Sequence, residues 1–137
     1  MILQNHGVSE DLISRALDGS KKFFALGEEE KRKYHLAGLG GARGYTGFGV
    51  ETAKGSTKYD LKEFWHLGRD LPPGHRYQDK MPPNVDVKEG DFSGVTKEIF
   101  TALDALGGRV LEALAVHLAK SGGTSVTRWM RVTPSCG

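Results

Sequence analysis

Five histidines, a scatter of carboxylates, one cysteine and a glycine-rich arginine–tyrosine stretch are the parts of this 137-residue chain whose types could carry chemistry. His6, His35, His66, His75 and His117 could ligate a metal or move a proton, because imidazole titrates near neutrality. Their spacing contains no H-x-D, no H-E-x-x-H and no H-x-x-x-H, so no pair is set to converge on an ion. His6 reads as a turn residue, His117 as a partly buried helix residue, and the others as surface positions. Glu28 to Glu30 read as a solvated helix start, while Asp60 and Glu63 flank a strand. No Ser or Cys occupies a nucleophile elbow. Read from its residues alone, the chain offers no catalytic group and no metal ligand set.

The stretch Arg43-Gly44-Tyr45-Thr46-Gly47-Phe48-Gly49-Val50 echoes the aromatic strand of an RNA-recognition motif. Thr46 stands as an insertion before Gly47, and Gly49 as another before Val50. Each flips side-chain parity, so the aromatic rings would not share a face. A dinucleotide G-x-G-x-x-G fails because Arg43 stands where the third glycine belongs, and Lys54-Gly55-Ser56 has the wrong order for a phosphate loop.

The elements that would position these residues follow from periodicity. Ile2 to Val8 reads as the end of a strand and a tight turn at Asn5-His6-Gly7. Ser9 can cap a helix over 9–26, with Leu12, Ile13, Ala16, Leu17, Phe23 and Phe24 on one face. Gly19 weakens its middle and Gly27 ends it. A short helix follows over 28–34, acidic first and basic last, as the helix dipole favours. Two alternating runs, 44–51 and 59–67, form a hairpin around the turn at 53–56. Pro72-Pro73-Gly74 and Pro82-Pro83-Asn84 then impose an extended connector. Asp91 or Ser93 caps a long helix to about residue 120, the spine of the fold, with Ile99, Leu103, Leu106, Val110, Ala113 and His117 on one stripe. This helix is apolar over more than half its circumference and needs cover. Residues 124–132 read as a strand.

Composition narrows the class. Apolar residues make up 38% and glycines number 19, so a small core is expected. Nineteen Lys and Arg against 17 Asp and Glu leave no basic block for nucleic acid or an anionic membrane. No run approaches the ~20 apolar residues of a membrane span. Cys136 alone cannot close an intrachain disulfide, which suits a cytoplasmic setting. The fold class is α+β or α/β, with helices around one hairpin.

Asn5-His6-Gly7-Val8, Phe23-Phe24-Ala25-Leu26, Glu28-Glu29-Glu30-Lys31, Gly44-Tyr45 and Asp60-Leu61-Lys62-Glu63 occur in an order and spacing that resembles a known series. It is similar to the N-terminal region of the isopenicillin N synthase-like, 2-oxoglutarate/Fe(II)-dependent oxygenases. Met81-Pro82-Pro83-Asn84 and Ala102-Leu103-Asp104-Ala105-Leu106-Gly107 fit that family's connector and long helix. The resemblance implies an N-terminal lobe, residues 1–121, followed by 122–137 as the start of a double-stranded β-helix or an aberrant tail. It implies oxidation of a small molecule with Fe(II) and 2-oxoglutarate, through a barrel that this chain lacks. The family's H-x-D with a distant His, and its R-x-S, are absent here, and Arg131-Val132-Thr133 is the nearest string to the latter. The chain alone is therefore expected to bind neither cofactor, and self-association of an exposed fragment is expected. Arg43 and Tyr45 are the expected substrate-binding residues, because the surrounding glycines let the backbone approach a ligand. A small stand-alone binding or regulatory protein, which would melt cooperatively as a monomer, and a nucleic-acid-binding module, with steeply salt-dependent binding, are the other classes.

Overall fold

A computed structural model of the chain describes residues 3–52, 54–55, 57–88 and 90–122. They fall into two units, 10–100 and 1–9 with 101 onward. The fold is α+β.

Helix α1 (Glu10–Phe24) opens the larger unit with Glu10 and Asp11 in its first turn and closes with Lys21 and Lys22 in its last. That order complements the helix dipole. Gly19 has a packing reason: a Cβ there would sit 3.2 Å from Val95 Cγ1, tighter than side chains normally tolerate. The helix ends at Phe24, two residues short of the expected Leu26, because Leu26 N–H turns back to Phe23 O and Gly27 is extended (ψ 151°). Helix α2 (Glu28–Arg32) then restarts as a single turn and a half.

Strands β1 (Gly44–Thr46) and β2 (Phe64–His66) pair antiparallel, with Gly44 opposite His66, Tyr45 opposite Trp65 and Thr46 opposite Phe64. The two longer strands expected from alternation therefore shrink to three residues each. The hairpin nevertheless continues: Asp60 N–H donates to Glu51 O at 2.8 Å, and Thr52 bridges Tyr59. Seven residues from Thr46 to Thr52 face six from Tyr59 to Phe64, so the first arm carries one extra residue. Such a bulge breaks the ladder locally, and Gly49, at φ 73°, lies within it.

The connector has a short 3-10 turn at Gln78–Lys80 and, among its described residues, is otherwise free of regular structure. Helix α3 (Phe92–Gly122) follows. Asp91 precedes it, with its carboxylate folded against Gly94, whereas the Ser93 hydroxyl accepts Val87 N–H at 2.6 Å. The core of the larger unit is an aromatic cluster. Phe23 stacks on Phe92 (4.6 Å, 6°) and meets Trp65 (5.0 Å), Tyr34 and Tyr45 edge-on or tilted. Every element of the unit except the 3-10 turn sends a ring into it or ends beside one.

In the other unit, the Asn5–Gly7 turn uses positive φ at both ends, and Arg109 Nη2 donates to His6 O at 2.5 Å. Leu103, Leu111, Leu114, Val116 and Leu118 of α3 are exposed. The strand expected over 124–132 lies outside the described residues. No helix among the described residues is long and apolar enough to cross a membrane.

Candidate functional site

The hairpin gathers the polar groups that the core has to accommodate. Strand parity puts Tyr45 on the core face of β1, and Glu63 and Trp65 on the same face of the second arm. Lys31 reaches this face from α2, one turn before Tyr34. Its ammonium donates to both Glu63 oxygens (3.0 and 2.7 Å) and to Phe24 O (3.2 Å), which uses all three protons. The Tyr45 hydroxyl donates to Glu63 Oε2 at 2.6 Å. The Lys31 and Glu63 side chains are only 8% and 16% exposed. The result is a buried Lys31–Glu63–Tyr45 triad joining α2 to both arms of the hairpin.

Burial alone would raise the Glu63 carboxyl, but the hydrogen bonds from Lys31 and Tyr45 and the Lys31 charge outweigh it and hold the group below its ordinary range. Burial, followed by the hydrogen bond and charge of Glu63, pushes the Tyr45 phenol up to about 12. The triad thus stays as carboxylate and neutral phenol across the ordinary pH range.

Tyr45, one of the two expected ligand contacts, is 1% exposed and has its hydroxyl committed to Glu63. Arg43 is half-buried just before β1. Its Nη1 donates to Ala42 O at 2.6 Å, its Nε is buried without a partner among the described residues, and its guanidinium lies over Gly68. Gly68 is itself fixed by Asn84, whose amide accepts from Gly68 N–H (2.9 Å) and donates to Gly68 O (2.8 Å) and Asp70 (2.7 Å). On the other face of the hairpin, His66 Nδ1 bonds Gly41 O, and Phe64 stands 4.6 Å from the His66 ring. Thr46 is buried there with an unpartnered hydroxyl among the described residues.

Lys31 and Glu63 escaped the reading of single residues. The signal was present: Lys31 shares a helical face with Tyr34, and Glu63 has the parity of Trp65. A separate groove of about 420 Å³ lies between α1 and the start of α3, floored by Phe23, Leu26, Val87, Phe92 and Val95. None of its described lining comes from the hairpin.

The iron of the expected chemistry needs His, Asp or Glu ligands that converge. Among the described residues no three His, Cys, Asp or Glu side chains do so. The described residues do not fit such a centre. The arrangement they do form is a positioned hairpin with an arginine at its open end.

The family described as non-haem dioxygenase in morphine synthesis, N-terminal, matches residues 1–89. The chain belongs to this family. This non-haem dioxygenase N-terminal region is 36% identical over 123 residues to the 2-oxoglutarate-dependent dioxygenase caaD of Aspergillus niger, covering 85% of this chain and 37% of that protein. It is 31% identical over 124 residues to leucoanthocyanidin dioxygenase of Perilla frutescens, covering 90% of this chain and 32% of that one. A solved 2OG-Fe(II) oxygenase family protein from Caulobacter crescentus matches with a TM-score of 0.71 and 51% identity, over 81% of this chain and 36% of its own. The chain thus spans about a third of the length of these relatives.

Proposed function

We propose that this chain is the substrate-side and structural lobe of a non-haem, Fe(II)- and 2-oxoglutarate-dependent oxygenase that oxidises a small molecule. The observation that carries this reading is the 51% identity, at a TM-score of 0.71, to the Caulobacter crescentus oxygenase. In this reading iron and 2-oxoglutarate are held outside the described residues. The lobe contributes shape and side chains to the mouth of the site. Arg43 is the proposed ligand contact, since a planar guanidinium over a glycine backbone can present paired donors to a carboxylate or other oxygen-rich group. Tyr45 acts from behind it by fixing the hairpin. The single cysteine supports a cytoplasmic location.

The test replaces the matching N-terminal region of the Caulobacter crescentus protein with this chain and measures succinate release from 2-oxoglutarate. The chimera should turn over, and Arg43→Ala in it should raise KM by roughly tenfold with kcat little changed, as expected when a binding contact is lost. The chain alone should give no succinate. A folded chimera without turnover would overturn the reading. Stoichiometric Fe(II) uptake with succinate release by the chain alone would overturn the placement of the cofactors.

A further inference from the structure

We propose that Lys31, Glu63 and Tyr45 form a register lock, three positioning residues that hold the hairpin in the one alignment that seats Arg43 over Gly68. The hairpin needs such a device. Its ladder has three residue pairs and, beyond a bulge, one isolated bridge. Short, glycine-rich strands specify their pairing weakly. A slip of one residue would turn Tyr45 or Trp65 off the core face, so burial forbids it. A slip of two keeps both on that face, and the hydrophobic pattern cannot exclude it.

The triad can. Tyr45 and Glu63 lie on opposite arms and are diagonal neighbours, Glu63 standing two residues before the direct partner Trp65. A two-residue slip one way sets Tyr45 against Leu67 and carries the phenol ~7 Å further from Glu63, out of hydrogen-bond reach. The other way sets it directly opposite Glu63 and loses the diagonal geometry of the present bond. Lys31 anchors Glu63 from a third element, with every ammonium proton assigned. An apolar trio of equal volume could be as stable as a buried ion pair. What it would lack is direction.

The alignment matters at the open end of the hairpin. Gly68 is the only glycine from Tyr59 to Leu71, and a Cβ there would collide with the Arg43 guanidinium. In any other register Arg43 meets a side chain instead of bare backbone. Asn84 holds Gly68 to the connector, so the receiving surface is fixed while the lock sets the arm that carries Arg43. That Arg43 then contacts a ligand rests on the function proposed above. The register does not, so the two ideas fail separately.

The experiment uses the full 137-residue chain and two variants, Lys31→Met/Glu63→Leu and Tyr45→Phe. Thermal melts are recorded together with backbone amide NMR signals of Gly44, Thr46 and Gly68, and with cross-strand contacts between residues 44 and 66 and between 46 and 64. The double variant should melt cooperatively near the parent temperature yet show doubled signals, with a second register populated at roughly a tenth or more. Tyr45→Phe should show the same doubling, more weakly. A folded double variant with one set of signals and native cross-strand contacts overturns the lock. If the double variant does not fold, Tyr45→Phe decides: a single native set overturns the proposal and doubling supports it. A role in stability alone would lower the melt without doubling any signal.

Discussion

Glu63 sits among groups that need its charge, and removing that charge should be costly. Glu63→Ala would leave the Lys31 ammonium buried without its counter-ion, so a loss of about 3–5 kcal/mol is expected, read from denaturant midpoints. The pH dependence has two limbs of opposite origin. Unfolded, a glutamate titrates near ~4.3, and in the fold Glu63 titrates lower. Its contribution is complete above ~4.3 and is lost as pH falls through the folded value. Tyr45 works at the other end. Unfolded, a phenol titrates near ~10, whereas here it reaches about 12. Its contribution is complete below ~10 and is lost as pH rises through the folded value. Denaturant midpoints measured across pH should fall on both limbs, and Tyr45→Phe should flatten the alkaline one. A parent protein with equal stability at pH 10 and pH 12 would contradict this assignment. At this scale the sequence was only partly legible. The tyrosine stood out by its glycine neighbours, but Lys31 looked like one more solvated charge on a short helix, because burial of a lysine is decided by a partner 32 residues away.

At the scale of elements, glycines separate into those that the fold requires and those that merely turn. Gly44 has φ 73°, and a Cβ there would strike Tyr34 O as well as lie 3.1 Å from Val85 Cγ2. Gly74 has a similar φ of 78° and open space around it. Gly44→Ala should therefore cost clearly more than the ~1–2 kcal/mol of left-handed backbone strain expected for Gly74→Ala. Equal costs for the two would mean that the approach of β1 to Tyr34 is not fixed. Helix starts and stops were readable from caps, charges and glycines, within two residues. The strands were not, since alternation continues through the bulge even though the ladder does not. Phe23→Ala tests the cluster that joins these elements. It removes the ring shared by Tyr34, Tyr45, Trp65 and Phe92, and a cost of about 3–5 kcal/mol is expected from thermal or chemical melts.

At the scale of the whole molecule, α3 determines behaviour in solution. The apolar excess of this helix was evident in the sequence, and its exposed leucines follow from it: Leu103, Leu111, Leu114 and Leu118. What covers them was not readable, because periodicity reports that a face is apolar and says nothing of its partner. Exposed contiguous apolar surface promotes association. The chain should bind a hydrophobic dye and grow in apparent mass with concentration in sedimentation experiments. Leu111→Ser with Leu114→Ser and Leu118→Ser should reduce both while leaving the melt of the aromatic core near its parent value. A monomer at every concentration with no dye signal would refute the expectation.

The backbone around the hairpin bears on what kind of assembly can form. Tyr45 spends its N–H on Tyr34 O and its carbonyl on the His35 ring, both away from β2. Gly68, beyond the end of β2, has both backbone groups taken by the Asn84 amide, which imitates a one-residue rung of a neighbouring strand. A strand from another molecule arriving at these positions would find the rungs occupied, and open rungs are what fibril growth copies. Clusters of this chain should therefore be held by leucine contacts alone: amorphous, blind to amyloid dyes and dispersed by dilution. Asn84→Ala would reopen one rung, and fibrils that appear only in that variant would show that a single side-chain amide had been keeping the protein out of the cross-β state.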